Sequence, residues 1–444
     1  MNNNNTCETD ATRILFSRSL ISLALTISFG VAGCGGSDTG NDAVAGSTNT
    51  AGGTTPSASP NADLCLGLVA DKTPRNLDLG ATAKPAPGAA FVDPQFGTTI
   101  RRITNAEGRG LQYVKTLYST VSAWNADESR LLLLRAGYIH ELYDGKSYTF
   151  IRTVDDINPA DGEQVYWDTQ DPQVLYYADP TARVFVKYNV ETKIKTVLRD
   201  FKTAPTSCTD NLNAGNDPMF TSWGSPPIIG LKCGTKRFNY NAATDTVGVI
   251  TSLPYAEAQQ ASPDGQLFFQ AINSTSAAVY DFNMTELRRL PIEAYEHGGI
   301  TTTDQGAAFV AVQYAAEGIY SMPLSGAPKK LLYGVANGWP YPPSGTHLSG
   351  LAFKQPGWVV ASHVGQLPLG RSLLENELVL VNANSGQLCR VAHHRSAAGN
   401  ASLGYFSEPH PVLSPSGTRI VFASDWGGGA TADVYVVELP FYRP

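Results

Sequence analysis

The sequence has few charged residues and almost no helical periodicity. Charged side chains make up 16% of its 444 residues, and the net charge at pH 7 is −7. Because this balance offers no basic surface, we exclude nucleic acid as a partner. Glycine, proline and tyrosine are abundant, with 42, 28 and 20 copies. Abundant turn-forming residues without a helical pattern favour an all-β protein with many turns.

Long apolar segments are missing as well. The one apolar run, Leu20 to Val31, follows a short basic region and is too short for a comfortable membrane-spanning helix. Its exit through small residues is typical of a signal peptide, which we predict over residues 1–33. Residues 34–61 contain almost no large apolar side chain, so we predict a flexible tether there and a folded body over residues 62–444.

The end of the signal segment carries a cysteine. Val31-Ala32-Gly33-Cys34 resembles the lipobox of bacterial lipoproteins, which implies that Cys34 is lipidated and starts the mature chain. The alternative is an ordinary signal peptide with an incidental cysteine. Because residue 35 is glycine and not aspartate, the resemblance favours the outer membrane over the inner membrane as the destination. We therefore expect a cell-envelope protein that is held to a membrane through a lipid anchor.

One pattern occurs seven times along the body of the chain: a turn, a short apolar strand, a gap, a second strand and another turn. Copies lie roughly 40 to 60 residues apart, the spacing of four-stranded propeller blades. We predict a monomeric, seven-bladed β-propeller of antiparallel blades, with a strand at Thr98 to Thr104 that closes the ring against the seventh blade. The seven copies begin at Trp124, Trp167, Trp223, Ser262, Thr303, Gln355 and Ser414.

Four cysteines remain for the folded body, and four cysteines allow three pairings. We favour Cys208–Cys233 as a local loop staple and Cys65–Cys389 as a tie between the entry strand and a late blade. A secreted protein meets an oxidising compartment in which such bonds persist. No CxxC spacing indicates zinc or redox chemistry.

Two motifs in the repeat resemble known families. The Ser262-Pro263-Asp264-Gly265 turn, with its following strands, resembles the WD40-like repeats of TolB-type propellers. Tyr405-Phe406-Ser407-Glu408-Pro409-His410-Pro411, followed by Phe422-Ala423-Ser424-Asp425-Trp426, resembles the oligogalacturonate lyase family of seven-bladed propellers. The resemblance covers residues from about 95 to 440. It implies a metal-assisted lyase that acts on uronate oligosaccharides.

Three histidines occupy similar positions in neighbouring copies. The Ser-Pro-Asp-Gly turn of this repeat follows the innermost strand of a blade, and each histidine lies a short distance before such a turn. We therefore expect all three at the starts of innermost strands, converging at one mouth of the central channel, with Glu408 on the same strand face as its neighbour two residues on. Each histidine and the glycine of its turn are His297 and Gly306, His347 and Gly357, and His410 and Gly417.

A set of two histidines and one carboxylate suits a divalent metal, so we predict a manganese, zinc or calcium site at His347, Glu408 and His410. The resemblance implies that His347 and His410 match metal ligands of the family and that His297 matches its catalytic base. Glu408 stands where the family has another histidine ligand, and Tyr405 stands where it has a glutamine ligand.

Two classes of function remain open. The first is an anchored protein that binds acidic oligosaccharides and cleaves them by β-elimination. The alternative is a non-catalytic envelope scaffold whose partner is another envelope protein. Several enzyme classes are excluded because the sequence has no GxSxG elbow, no HExxH motif and no phosphate-binding loop.

Overall fold

The computed structural model describes residues 62–77, 82–215, 220–252, 258–293, 297–340, 347–364, 373–397 and 402–443. Within them, thirty strands form seven antiparallel sheets. Short 3-10 turns lie at Glu107–Arg109, Val335–Asn337 and Gly404–Ser407, and His297 also has 3-10 conformation. The predicted all-β, seven-bladed propeller is confirmed. The predicted signal peptide, the lipidated Cys34 and the tether lie outside the described residues. No helix in the described part of the chain is long and apolar enough to span a membrane.

Each sheet is one blade, and the first strand of each set below is the innermost. Blades 1 and 2 contain β3 (Val114–Lys115), β4 (Arg130–Arg135), β5 (Ile139–Asp144) and β6 (Phe150–Val154), then β7 (Tyr166–Trp167), β8 (Val174–Asp179), β9 (Val184–Asn189) and β10 (Lys195–Asp200). Blade 3 contains β11 (Leu212–Asn213), β12 (Ile228–Cys233), β13 (Lys236–Asn241), β14 (Thr246–Val247) and β15 (Thr251–Ser252).

The second half of the ring repeats the arrangement. Blades 4 and 5 contain β16 (Gln260–Ala261), β17 (Phe268–Asn273), β18 (Ser276–Tyr280) and β19 (Glu286–Leu290), then β20 (Gly299–Thr303), β21 (Gly306–Gln313), β22 (Gly318–Pro323) and β23 (Lys330–Gly334). Blade 6 contains β24 (His347–Ser349), β25 (Trp358–Ser362), β26 (Glu377–Asn382) and β27 (Leu388–His393). Blade 7 contains β28 (Val412–Leu413), β29 (Arg419–Ser424), β30 (Asp433–Glu438), β2 (Thr99–Arg102) and β1 (Ala90–Val92).

The ring closes as the sequence predicts. Strand β2 pairs antiparallel with β30, from Thr99 opposite Glu438 to Arg102 opposite Tyr435, and β1 pairs with the outer edge of β2. The first strands of the fold and the last one therefore share a blade. Hydrogen bonds between chain segments more than 300 residues apart hold the ring shut.

Packing between blades explains the apolar strands. All four leucines from Leu131 to Leu134 are fully buried, because β4 lies inside a sheet whose two faces are covered by neighbouring blades. By contrast, the outermost strand β10 has only exposed and half-buried side chains. The core is thus made of the blade faces, and the outer strands meet solvent.

The repeated turn has a local physical cause. In blade 4, Ser262 Oγ accepts a hydrogen bond from the Leu267 amide, and the Gly265 amide donates to the Ser262 carbonyl at 2.8 Å. Gly265 has φ +69°, a left-handed conformation that glycine adopts without strain. Gly417 of blade 7 has φ +72° and the same bond to Ser414. These turns reverse the chain at the far end of the innermost strands.

Two disulfides join the cysteines in the favoured pairs. Cys208 bonds to Cys233 within blade 3, with a Cα–Cα distance of 5.8 Å. Cys65 bonds to Cys389 on the outermost strand of blade 6, with a Cα–Cα distance of 5.6 Å. Val69 forms an antiparallel bridge with Arg390 beside it. The entry segment 62–77 is therefore fastened to the outer edge of blade 6.

Candidate metal centre at the channel mouth

The innermost strands of blades 5, 6 and 7 bring the three histidines together. His347 is the first residue of β24, whereas His297 and His410 each lie two residues before β20 and β28. The rings of His347 and His410 have centroids 4.3 Å apart, and those of His297 and His347 are stacked with centroids 4.4 Å apart. The structure thus places the three predicted site histidines side by side.

Glu408 completes a compact set of donor atoms. Its Oε2 atom lies 3.5 Å from Nε2 of His347 and 3.5 Å from Nε2 of His410. One donor atom from each of these three residues lies within 4.8 Å of the other two. Both histidines are buried, while the Glu408 side chain is 24% exposed. A small ligand can therefore approach the set from the side of the carboxylate.

The backbone around His410 is held in an unusual conformation. His410 has φ +37°, which is sparsely populated by residues other than glycine. Proline precedes and follows it, and Thr116 Oγ1 donates a hydrogen bond of 3.1 Å to the His410 carbonyl. Such conformations persist only where the surroundings impose them, and they cluster at functional sites.

Burial sets the charge states of the cluster. It raises the pKa of Glu408 to about 7, an effect that the positive charge of Lys115 opposes and the negative charge of Glu163 reinforces. It also lowers the pKa of His410 well below its ordinary value, and positive charge on His347 and Lys115 acts in the same direction. The His410 imidazole is therefore neutral at pH 7, which is the form that binds metal.

A second polar group lies directly beside the histidines. Lys115 is fully buried and forms an ion pair with Glu163. The Tyr405 hydroxyl is 2.8 Å from both carboxylate oxygens of Glu163, and the ammonium group of Lys115 lies 4.4 Å from the centre of the Tyr405 ring. That ring is 4.7 Å from the His410 ring. Tyr405 therefore uses its hydroxyl to bind Glu163 at the edge of the metal set.

Lys115 and Glu163 were not predicted from the sequence, although a signal was present. Lys115 belongs to β3 and Glu163 lies three residues before β7, so both lie at or just before the starts of the innermost strands of their blades, as the three histidines do. A search for charged residues, as well as histidines, at this position of every blade identifies both. Polar side chains from blades 5, 6, 7, 1 and 2 thus line one side of the mouth.

The fold and the cluster define the class of protein: a seven-bladed β-propeller with a histidine–carboxylate site at one mouth of its channel. Among solved structures, an oligogalacturonate lyase in complex with manganese is similar, with a TM-score of 0.54 and 14% identity, over 80% of this chain and 96% of that chain. An oligogalacturonate lyase from Vibrio parahaemolyticus is similar with a TM-score of 0.52 and 12% identity, over 80% of this chain and 97% of that chain. At these identities the similarity shows the propeller fold. A scan against protein-family models gives no match, and a search of curated proteins gives none either.

Proposed function

We propose that this propeller binds a divalent metal at His347, Glu408 and His410 and uses the site to cleave uronate-containing oligosaccharides by β-elimination. The observation that carries the proposal is the convergence of His297 on the same three residues, since the reaction needs a base next to the metal. The similarity of fold to oligogalacturonate lyases, one of which holds manganese, supports it.

The residues present fit a metal ion. Two imidazole nitrogens and one carboxylate oxygen are donors that manganese and zinc accept, while calcium prefers oxygen ligands alone. The Nε2 atom of the buried His410 lies 3.5 Å from Glu408 Oε2, which is longer than an ordinary hydrogen bond between nitrogen and oxygen. A cation between these two atoms would give each of them a closer partner.

The metal would act as a Lewis acid that draws charge from a uronate carboxylate and so acidifies the neighbouring C–H bond. The residues of the chain do the rest. His297, stacked on His347, removes that proton as a neutral imidazole. The electron pair of the broken C–H bond then forms the carbon–carbon double bond, and the glycosidic oxygen leaves with its bonding pair and takes up a proton from water. His347 and His410 are buried, whereas Glu408 and His297 are half-buried, so solvent reaches the set beside these two side chains.

Anchoring at the cell envelope belongs to the same proposal. Lipidation at Cys34 and a tether over residues 34–61 hold the propeller near a membrane while its channel mouth stays open to soluble oligosaccharides. An acidic oligosaccharide is the proposed partner. Labelling of the protein in cells with a radioactive fatty acid, in the parent and in Cys34→Ser, tests this part: label in the parent alone is expected, and equal labelling contradicts it.

The activity is tested by incubating metal-loaded protein with a panel of uronate oligomers and measuring unsaturated products by their ultraviolet absorbance. We expect product from the parent, and a decrease in kcat of roughly 100-fold or more for His297→Ala with metal content unchanged, because loss of a general base removes that much rate. Bound metal without product from any uronate contradicts the lyase and leaves a non-catalytic envelope protein.

A further inference from the structure

A ridge of aromatic side chains leads away from the metal cluster. The Tyr138 and Phe406 rings meet edge to face with centroids 6.3 Å apart, and the Phe406 and Tyr405 rings do the same at 5.6 Å. Tyr405 in turn contacts the His410 ring. A continuous line of aromatic contacts thus runs from the surface of blade 1 to the proposed metal ligands.

The ridge lies at the same mouth of the channel as the histidines. Strand β3 carries Lys115, which pairs with Leu134 near the end of β4, so the end of β4 is beside the metal cluster. Tyr138 lies in the turn that joins β4 to β5 directly after that end. A molecule that occupies the metal set can therefore extend over Tyr405 to Tyr138 without leaving this face.

The structure presents Tyr138 to solvent at a conformational cost. Its side chain is 60% exposed, and its φ of +56° is a left-handed conformation that aromatic residues rarely adopt. The ring lies over Gly162, where an added Cβ atom would be 2.9 Å from Tyr138 Cδ1. Glycine at this position leaves room for the ring beside Glu163, the residue that holds the Tyr405 hydroxyl.

The supports of the ridge make it rigid. Phe406 is stacked on Tyr113 with ring centroids 4.2 Å apart and an angle of 5° between the rings. Tyr405, which is 37% exposed, is fixed at its hydroxyl by Glu163. Tyrosine loses little conformational entropy on binding because it has only two side-chain torsions, and a rigid support reduces that loss further.

Exposed, fixed tyrosine faces suit sugar rings. A pyranose has a face of C–H groups that packs on an aromatic ring, while its hydroxyls remain in water or reach the polar edge of the tyrosines. The acidic character of the substrate comes from the neighbouring metal set, which is proposed to bind a uronate carboxylate.

We propose that Tyr138, Phe406 and Tyr405 form a sugar-binding platform, a subsite separate from the metal set, which stacks against one or two pyranose rings of an acidic oligosaccharide. The inference rests on the proposed function because it takes the same substrate class, but stacking on the platform needs neither the metal nor the chemical step. The platform positions the chain of the substrate so that the next acidic ring reaches His347, Glu408 and His410.

Isothermal titration calorimetry tests the platform on protein stripped of metal with a chelator. The ligands are a galacturonate tetramer and an uncharged galactose tetramer. We expect Tyr138→Ala to weaken the binding of both tetramers at least fivefold, because both sugars present a C–H face that stacks on the ring. The matched control is Phe150→Ala, which removes a 45% exposed aromatic ring from the far end of the same blade and is expected to change affinity less than twofold.

The outcomes separate this inference from the proposed activity. Tyrosine-dependent binding by the metal-free protein supports the platform even where no metal or product is found. Equal affinity in Tyr138→Ala and the parent overturns the platform, even where the parent cleaves uronates. Failure of the parent to bind either tetramer overturns it as well.

Discussion

Glu377 and Arg390 form a fully buried ion pair in blade 6. The Arg390 guanidinium donates two hydrogen bonds to the Glu377 carboxylate, at 2.6 and 2.7 Å. It also donates to the carbonyls of Asp71 and Thr73 in the entry segment, at 3.2 and 2.7 Å. One arginine on β27 thus links β26 to the segment that enters the fold. Because both charges are out of water, each depends on the other.

We predict that Glu377→Gln destabilises the propeller by about 3–5 kcal/mol, because it removes the buried counter-charge of Arg390 and leaves only the exposed Asp71 carboxylate, 3.6 Å from the guanidinium. The matched control is Glu286→Gln, which breaks an exposed pair with Arg289 and is expected to cost about 0.5 kcal/mol or less. Urea unfolding of the three proteins measures both values. Similar losses in the two variants would show that the buried pair is not an important source of stability.

Two buried histidines of the same blade make stability depend on pH. Burial lowers the pKa of His363 to about 3 and that of His394 to about 4, whereas an unfolded chain has a histidine pKa of about 6.5. Between these values the unfolded state binds protons that the folded state does not. Stability is therefore fully present above pH 6.5 and decreases as the pH falls toward 4.

Thermal unfolding measured from pH 7 to pH 5 tests this dependence of stability on pH. We predict a midpoint that falls over this range, and a smaller fall in His363→Gln, whose amide replaces the imidazole that contacts Tyr333 and cannot titrate. A midpoint that stays constant or rises as the pH is lowered is incompatible with neutral buried histidines.

At the scale of single elements, the two disulfides close loops of very different length. Cys65 and Cys389 are 324 residues apart and fasten the entry segment to blade 6, whereas Cys208 and Cys233 are 25 residues apart within blade 3. A cross-link restricts the unfolded chain more when it closes a longer loop. The entry segment therefore contributes to stability through the unfolded state as well as through its contacts.

We predict that Cys65→Ser/Cys389→Ser costs more stability than Cys208→Ser/Cys233→Ser, at about 6 kcal/mol against about 3.5 kcal/mol from loop length alone. Denaturant unfolding of both double variants gives the order directly. The reverse order would mean that native contacts around Cys208 and Cys233 outweigh the loop-closure term.

At the scale of the whole molecule, the propeller was predictable because each blade has its own short turn and strand pattern in the sequence. In each blade, the turn that corresponds to Ser262-Pro263-Asp264-Gly265 marks the end of the innermost strand. The strands that end before Gly306, Gly357 and Gly417 therefore start at the same mouth. This shared position before the turn identified His297, His347 and His410 as neighbours. The closing strand β2 was predictable for a similar reason, since the ring needs one more strand beside β30.

The neighbours of the metal set were not predictable in the same way. Lys115 and Glu163 are both buried, and the ion pair between them across blades 1 and 2 makes this burial possible. No single segment of the sequence reveals that pairing. The aromatic platform has the same origin, since Tyr138 and Phe406 are 268 residues apart (406 minus 138) and meet only when the ring closes. Side-chain partners across blades depend on the closed ring.

The metal content of the purified protein is the decisive measurement for a metal site at His347, Glu408 and His410. Protein incubated with manganese or zinc, desalted and analysed by elemental mass spectrometry is compared with His347→Ala/His410→Ala and with Phe150→Ala, after circular dichroism has shown that all three are folded. We predict close to one ion per chain in the parent and in Phe150→Ala, and almost none in the double histidine variant. No metal in the parent, or equal metal in all three proteins, would contradict a site at His347, Glu408 and His410.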